Sequence, residues 1–376
     1  MKNKIKTIKE MESKLLSDST ADDMHLPEKI NHDFENTIMT AQQVRHDISV
    51  IARTFIHGYC GWPFHTEIVK RQILVKLLKI HNNASDMTIK EFFDLLKPVV
   101  AKIPDNHIRF ILGHGDYTAK TELARKHKNV GRNRATFDEK IKVEKIEDVA
   151  VLAIRTLSNW QDEHFDKIKE LENMLDESKC LIVDLRGNGG GSSSPTNKLA
   201  DILYGAKTGG LVRSWIRTTP EATIIQNLEK NKQWANLDRS KDPTILADFS
   251  KMPPPAFASD NSGWARPIYI LTDRGTCSSA EIFVIRMIRH PNVKYVGDNT
   301  GGMEIYAEMG FVVLPNSNIK FGIGNVYHEL EQKNFELIGH KPDIKCQDGK
   351  DAFEVAINDY NMPKILVRAK KDILVK

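Results

Sequence analysis

The sequence predicts an α/β protein with a parallel-sheet core, preceded by a small helical bundle, and three observations lead there. From residue 149 onward, apolar runs of strand length alternate with stretches of helical spacing, the pattern of parallel strands joined by crossover helices. Two of those runs, 181–185 and 268–271, end in glycine or small polar residues just before a helix opens, which is where sites sit in such sheets. Residues 34–102, by contrast, carry helical spacing alone.

In chain order, residues 1–33 are polar and charged and read as a loose helix or tail. Residues 34–102 read as a helical N-terminal domain of about three helices. Ile48, Ile51, Ala52 and Phe55 share one face; Leu74, Leu77 and Leu78 repeat the spacing, with Ile73 and Ile80 alongside. Thr88 ahead of Glu91 makes a capping box that leads into Phe92, Phe93, Leu95, Leu96 and Val99. Between two helices, Gly58-Tyr59-Cys60-Gly61-Trp62-Pro63-Phe64 breaks the pattern, and its aromatics read as local packing.

The remainder, 103–376, reads as one catalytic-type domain. Ile108–Leu112 is a strand, followed by a polar, basic stretch to about residue 140. Buried strands follow at 149–154, 180–185, 267–271 and 293–296, with helices at 165–175, from 198 to 204 and at 280–288. A late hairpin joins 311–314 to 319–321 around Pro315-Asn316. The polar section 205–264 reads as a lid, an assembly surface or an insertion.

Composition removes several functions. Net charge is +4 from 54 Lys and Arg against 50 Asp and Glu, and acidic residues interrupt the basic cluster Lys120, Arg125, Lys126 and Lys128, so nucleic-acid binding gains no support. Four separated cysteines form no CxxC pair, against a zinc site or disulfide scaffold and in keeping with a reducing compartment. The N-terminal residues hold no apolar run suited to a signal peptide, and no stretch reaches the ~20 apolar residues of a membrane span. The expectation is a cytoplasmic protein with no membrane partner, or an exported one if a leader has already been removed.

Three segments could carry chemistry. In Thr276-Cys277-Ser278-Ser279-Ala280-Glu281 a serine stands at the opening of a helix, where backbone N–H groups lack helical partners and could hold an oxyanion. The same serine could equally be an N-cap. In Asp184-Leu185-Arg186-Gly187-Asn188-Gly189-Gly190-Gly191 the glycines permit positive φ and close backbone approach, as an anion nest or a plain turn. In Asp105-Asn106-His107 a histidine near an aspartate could act as a general base or be a hydrogen-bonded surface residue. His114 competes for that role, although in a continuous strand it would face the opposite side.

Together these segments resemble the tail-specific, or C-terminal-processing, serine peptidases, in the right order across roughly residues 103 to 350. Residues 184–191 resemble the family's glycine motif and 276–281 its nucleophile motif, which registers on Ser278. Val296-Gly297-Asp298-Asn299-Thr300-Gly301-Gly302 and Glu336-Leu337-Ile338-Gly339-His340-Lys341-Pro342-Asp343 resemble two further motifs. The resemblance implies a ClpP/crotonase-like spiral of β-β-α units. One branch of the family uses a Ser–Lys dyad, but the position where its lysine would stand is Met303. The resemblance therefore points to the histidine-dependent branch, related to the tricorn core and to interphotoreceptor retinoid-binding protein. His107 is then the base and Glu336 its partner, acting directly or through Asn106, which stands where the tricorn-like site has a serine. The ~40 residues between Phe110 and Val149 are too few for the PDZ domain that many members carry.

The implied chemistry is hydrolysis of a peptide or protein substrate through an acyl-enzyme on Ser278. The oxyanion lies between the N–H groups of Ser279 and Gly190, Gly191 shapes the turn, and Arg186 and Glu281 brace the loops. No metal or other cofactor is required, and a homo-oligomer is left open. Cys277 is a rival nucleophile, activated as a thiolate at a helix N-terminus. Two other readings remain: a catalytically inactive small-molecule or peptide-binding protein on the same fold, and an acyl-CoA enzyme of crotonase type.

Overall fold

Side-chain alternation decides how the mostly parallel sheet is covered. In Cys180–Asp184 and Ile268–Thr272 every residue is buried, as expected of parallel strands packed on both faces. Leu181, Val183, Ile268 and Ile270 share one core cluster with Ile168, Leu171, Leu199, Leu203, Ala280, Phe283 and Val284. Those partners come from the helices Asp162–Leu175, Ser194–Tyr204 and Ser279–Met287. The alternate residues Cys180, Ile182, Tyr269 and Leu271 cluster with Ala352 and Ala356 of the helix at 352–361.

The computed structural model describes residues 7–25, 35–101, 103–113, 115–118, 140–205, 213–226, 247–248, 263–330, 335–347 and 349–361. His114, the basic stretch at 119–139, where a PDZ domain was expected to be lacking, and most of the section 205–264 lie outside the described residues. Among the described residues no helix is long and apolar enough to cross a membrane.

The chain divides into two compact units. One comprises Gly131–Leu211, Lys251–Glu304 and Gln332–Lys376. Its six-stranded sheet runs Ile344–Lys345, Val293–Gly297, Ile268–Thr272, Cys180–Asp184, Val149–Ile154, Ile141–Ile146. All neighbours are parallel except the last pair, which forms an antiparallel hairpin. The carboxyl ends of the three central strands lead into the glycine loop, the Ser278 loop and the Thr300–Gly302 segment.

The other unit comprises Met1–Val130, Val212–Ser250 and Ile305–Glu331. It holds the helices Ile8–Leu16, Ala41–Arg53, Glu67–Asn82 and Ile89–Val100, all entered through threonine caps with extended backbone. It also holds an antiparallel sheet organised by the ten-residue strand Lys320–Glu329. One edge of that strand pairs first with Arg109–Leu112 and then with Arg213–Ile216. The other edge pairs with Tyr306–Val313.

This sheet is why the expected domain boundary between residues 102 and 103 does not follow the compact units. Strand pairing draws Arg109–Leu112, Gly115–Thr118 and Arg213–Ile216 into the unit that holds the helices, although local periodicity assigns them to the later part of the chain. The late hairpin is also longer than its apolar runs suggest, spanning Tyr306–Val313 and Lys320–Glu329.

Phe283 is fully buried between the helices and the parallel sheet. Phe283→Ala is expected to cost about 3–5 kcal/mol, read as a lower urea midpoint with an unchanged slope. A loss below ~1 kcal/mol would contradict this packing.

Candidate active site

The Ser278 loop is built by one aspartate. Asp273 Oδ1 accepts the N–H groups of Gly275 (2.8 Å), Thr276 (3.1 Å) and Gly187 (2.9 Å). The Ser278 loop and the glycine loop are thereby stitched together, with Thr276 Oγ1 donating to the Leu185 carbonyl (2.9 Å) and the Cys277 N–H to the Asn188 carbonyl (2.9 Å). Ser279 Oγ closes the seam by donating to the Gly191 carbonyl at 2.6 Å.

Ser278 itself has φ 54° and ψ −127°. The threonine caps of this chain, Thr7, Thr40, Thr66 and Thr88, all have φ between −63° and −71° with ψ between 154° and 160°. A serine at positive φ is strained. Ser278 is the N-cap of its helix and its N–H makes the capping-box bond to Glu281, but its backbone sets it apart from those threonines. A strained strand-to-helix turn of this kind is the backbone geometry found at nucleophile elbows.

The strain is held by Glu281, whose carboxylate is fully buried. Oε2 accepts the N–H groups of Ser278 (3.0 Å) and Met303 (2.8 Å); Oε1 accepts the Thr300 hydroxyl (2.5 Å) and the Gly302 N–H (2.8 Å). Burial pushes its carboxyl above the usual range, and these bonds oppose that shift. Thr300 continues the chain, exchanging bonds with His340 (Thr300 N–H to His340 O, 3.0 Å; His340 N–H to Thr300 Oγ1, 2.7 Å). The Leu337 N–H donates to Gly302 O at 2.9 Å. The turn that carries buried Glu336 is thus clamped to the segment that Glu281 organises.

Glycine is required at two points. At Gly190 (φ +96°) a Cβ would lie 2.9 Å from Ser278 Cβ and 3.0 Å from Ser279 N. At Gly191 (φ +139°) it would collide with the Leu157 backbone. One expectation needs correcting. The Gly190 N–H, expected as an oxyanion donor, donates to Asn188 Oδ1 at 2.9 Å. A buried N–H must be paired, and Asn188, itself anchored through Nδ2 to the Ile154 carbonyl (3.0 Å), supplies the acceptor. The Ser279 N–H stands in the first helical turn, where no helical acceptor exists.

Arg186 lies apart from Ser278 as a brace. It forks onto Asp184 (Nε–Oδ1 and Nη2–Oδ2, both 2.9 Å) and reaches Asp351 (2.7 Å). Burial works against ionisation of Asp184, but Arg186 and Arg155 together hold its carboxyl below the usual range. Cys277 is buried, with its thiol toward the Arg274 carbonyl at 3.6 Å.

Asn106 and His107 belong to the helix-bearing unit, and both are buried. The His107 N–H donates to Asp105 Oδ1 at 2.7 Å, and Nδ1 is 3.9 Å from the same oxygen. Asp105 Oδ2 accepts the Tyr59 hydroxyl at 2.7 Å. Tyr59 was missed in the sequence because its neighbours Trp62 and Phe64 made the segment look like packing. No local signal links a tyrosine at 59 to an aspartate 46 residues later.

These features place a strained serine beside a glycine loop at the carboxyl ends of parallel strands on an α/β scaffold. Residues 148–346 match the profile of Peptidase family S41, and the chain belongs to that family of serine peptidases, whose ClpP/crotonase-like fold it shares. Among solved structures, a candidate peptidase from Parabacteroides merdae ATCC 43184 superposes with a TM-score of 0.60 at 19% identity, covering 85% of this chain and 96% of that one. A lipoprotein from Streptococcus agalactiae gives a TM-score of 0.43 at 16% identity, over 82% and 92%. The nisin-resistance protein of Lactococcus lactis subsp. lactis is 24% identical over 217 residues, which is 54% of this chain. The aligned region spans 58% of that relative's length.

Glu281→Ala strands two buried loops without their acceptor and is expected to cost more than about 3 kcal/mol. Glu281→Gln, which keeps one carbonyl oxygen, should cost less. Urea melts of both check this; an alanine variant within ~1 kcal/mol of the parent would show that the carboxylate does not hold the loops.

Proposed function

We propose that this chain hydrolyses peptide bonds through an acyl-enzyme on Ser278, with His107 as general base. The observation that carries the proposal is the strained backbone of Ser278 where a helix opens after a buried strand. Membership of a serine peptidase family supports it.

His107 takes the Ser278 proton as Oγ bonds to the scissile carbonyl carbon, and the carbonyl electron pair moves onto oxygen. The oxyanion is held by the Ser279 N–H; the Gly190 N–H reaches it only by giving up Asn188. Collapse breaks the C–N bond, and the histidinium protonates the leaving amine. Water, deprotonated by His107, then attacks the ester and releases Ser278. Glu336 acts on His107 directly or through Asn106, favouring the imidazolium that forms at each step. Met303, an apolar side chain, has no proton to exchange. Peptides or proteins are the proposed substrates, and no cofactor takes part. The buried thiol of Cys277 is not the nucleophile.

A fluorophosphonate probe tests this directly. Labelling should be lost in Ser278→Ala, by at least about a thousandfold in rate, and kept in Cys277→Ala. Label that survives in Ser278→Ala overturns the assignment. An unlabelled but folded parent protein would favour a binding protein on this fold.

A further inference from the structure

The helix-bearing unit contains a buried polar chain that ends on His107. The helix Ala41–Arg53 runs into a π-turn, Thr54–Gly58, and the Tyr59 N–H closes it on Thr54 O at 2.8 Å. Such turns displace the residues that follow from the helical path and recur at functional sites. Here the displaced residue is Tyr59, which is fully buried. Its ring packs against Phe55, His65 and Tyr306, with centroids 6.2, 5.5 and 5.6 Å away.

Polar contacts account for every member of the chain. His65 Nε2 is 3.2 Å from the Tyr59 hydroxyl. The hydroxyl has one proton, and the 2.7 Å bond to Asp105 Oδ2 uses it. His65, whose ring burial lowers to about 4, is neutral at physiological pH, so its Nε2–H is the donor to Tyr59. Asp105 Oδ1 then accepts the His107 main-chain N–H. The 3.9 Å from Oδ1 to Nδ1 is an ion-pair distance, not a hydrogen bond.

We propose that Tyr59 and Asp105 are positioning residues for His107. The tyrosine hydroxyl holds the carboxylate, and the carboxylate holds the histidine's main chain and keeps negative charge beside Nδ1. Nε2 is left as the nitrogen that exchanges the proton with serine. The inference rests on the reading of His107 as the base and extends it, because Asp105 favours the imidazolium alongside Glu336.

The charges around Asp105 are consistent with this. Burial pushes its carboxyl up to about 7, while the Tyr59 hydroxyl, the His107 and Ile108 N–H groups and the positive charge of Arg109 pull it back. The buried Cys60 thiol, held well above its usual range chiefly by burial and then by Asp105, stays neutral. Arg217 approaches from the other side of the tyrosine, with Nη1 3.4 Å from the Tyr59 carbonyl. Of the groups that favour the charged form of Asp105, the Tyr59 hydroxyl counts most. Without that donor it takes up a proton at higher pH, the imidazolium loses its neighbour and the pKa of His107 falls. The neutral ring then persists to lower pH.

The test uses the full-length protein and fluorophosphonate labelling of Ser278 at saturating probe, from pH 5 to 9. Tyr59→Phe keeps the ring and removes only the hydroxyl. It should slow the maximal labelling rate about ten- to a hundredfold, leave the half-saturating probe concentration unchanged, and move the acid limb toward lower pH. Asp105→Asn should do the same and more strongly. It serves as the second variant should Tyr59→Phe melt out of range. Both variants folded, with parental rate and pH profile, while His107→Ala is unlabelled, would overturn the inference and leave the base assignment standing. Parental labelling in His107→Ala would remove the base assignment itself, and the inference with it.

Discussion

Glu281 is the carboxylate on which the Ser278 geometry depends. Removing such a group from water costs several kcal/mol unless its lone pairs are satisfied. Glu281 satisfies them with three backbone N–H groups and one hydroxyl, drawn from the helix opening at Ser278 and from Thr300 to Met303. Each bond answers a donor that would otherwise be buried alone. The same carboxylate therefore offsets the strain at Ser278 and fixes the loop to which the Glu336 turn is clamped.

The rest of that unit is arranged to make such a constraint affordable. Parallel strands packed on both faces end together, so the loops leaving Asp184, Thr272 and Gly297 emerge side by side. Asp273 joins the first to the second, and Glu281 the second to the third. Gly190 and Gly191 are needed because the loops approach closer than a Cβ allows. The consequence is preorganisation: the backbone of Ser278 and Ser279 is set by bonds within the protein alone.

In the helix-bearing unit the comparable device is a strand. Lys320–Glu329 pairs along both edges and so collects three separate stretches of chain into one sheet. Arg109–Leu112 is one of them, and it carries the Asp105–His107 turn at its start. The π-turn before Tyr59 sets the other end of the polar chain that reaches Asp105.

The sequence alone determined what periodicity and order encode. Apolar spacing located the helices and the buried strands, because burial on one stripe or on both sheet faces leaves a local trace. Four motifs in order identified the family, and Met303 stands where one branch of it carries a lysine. What it could not determine were interactions joining residues distant along the chain. The backbone angle that sets Ser278 apart from the chain's other helix caps goes with Glu281 meeting Thr300 and Gly302. The bond between Tyr59 and Asp105, and the pairing of Arg109–Leu112 with Lys320–Glu329, are likewise products of tertiary contact. Only folding brings such donors and acceptors together, and only then does an unpaired buried group carry its cost.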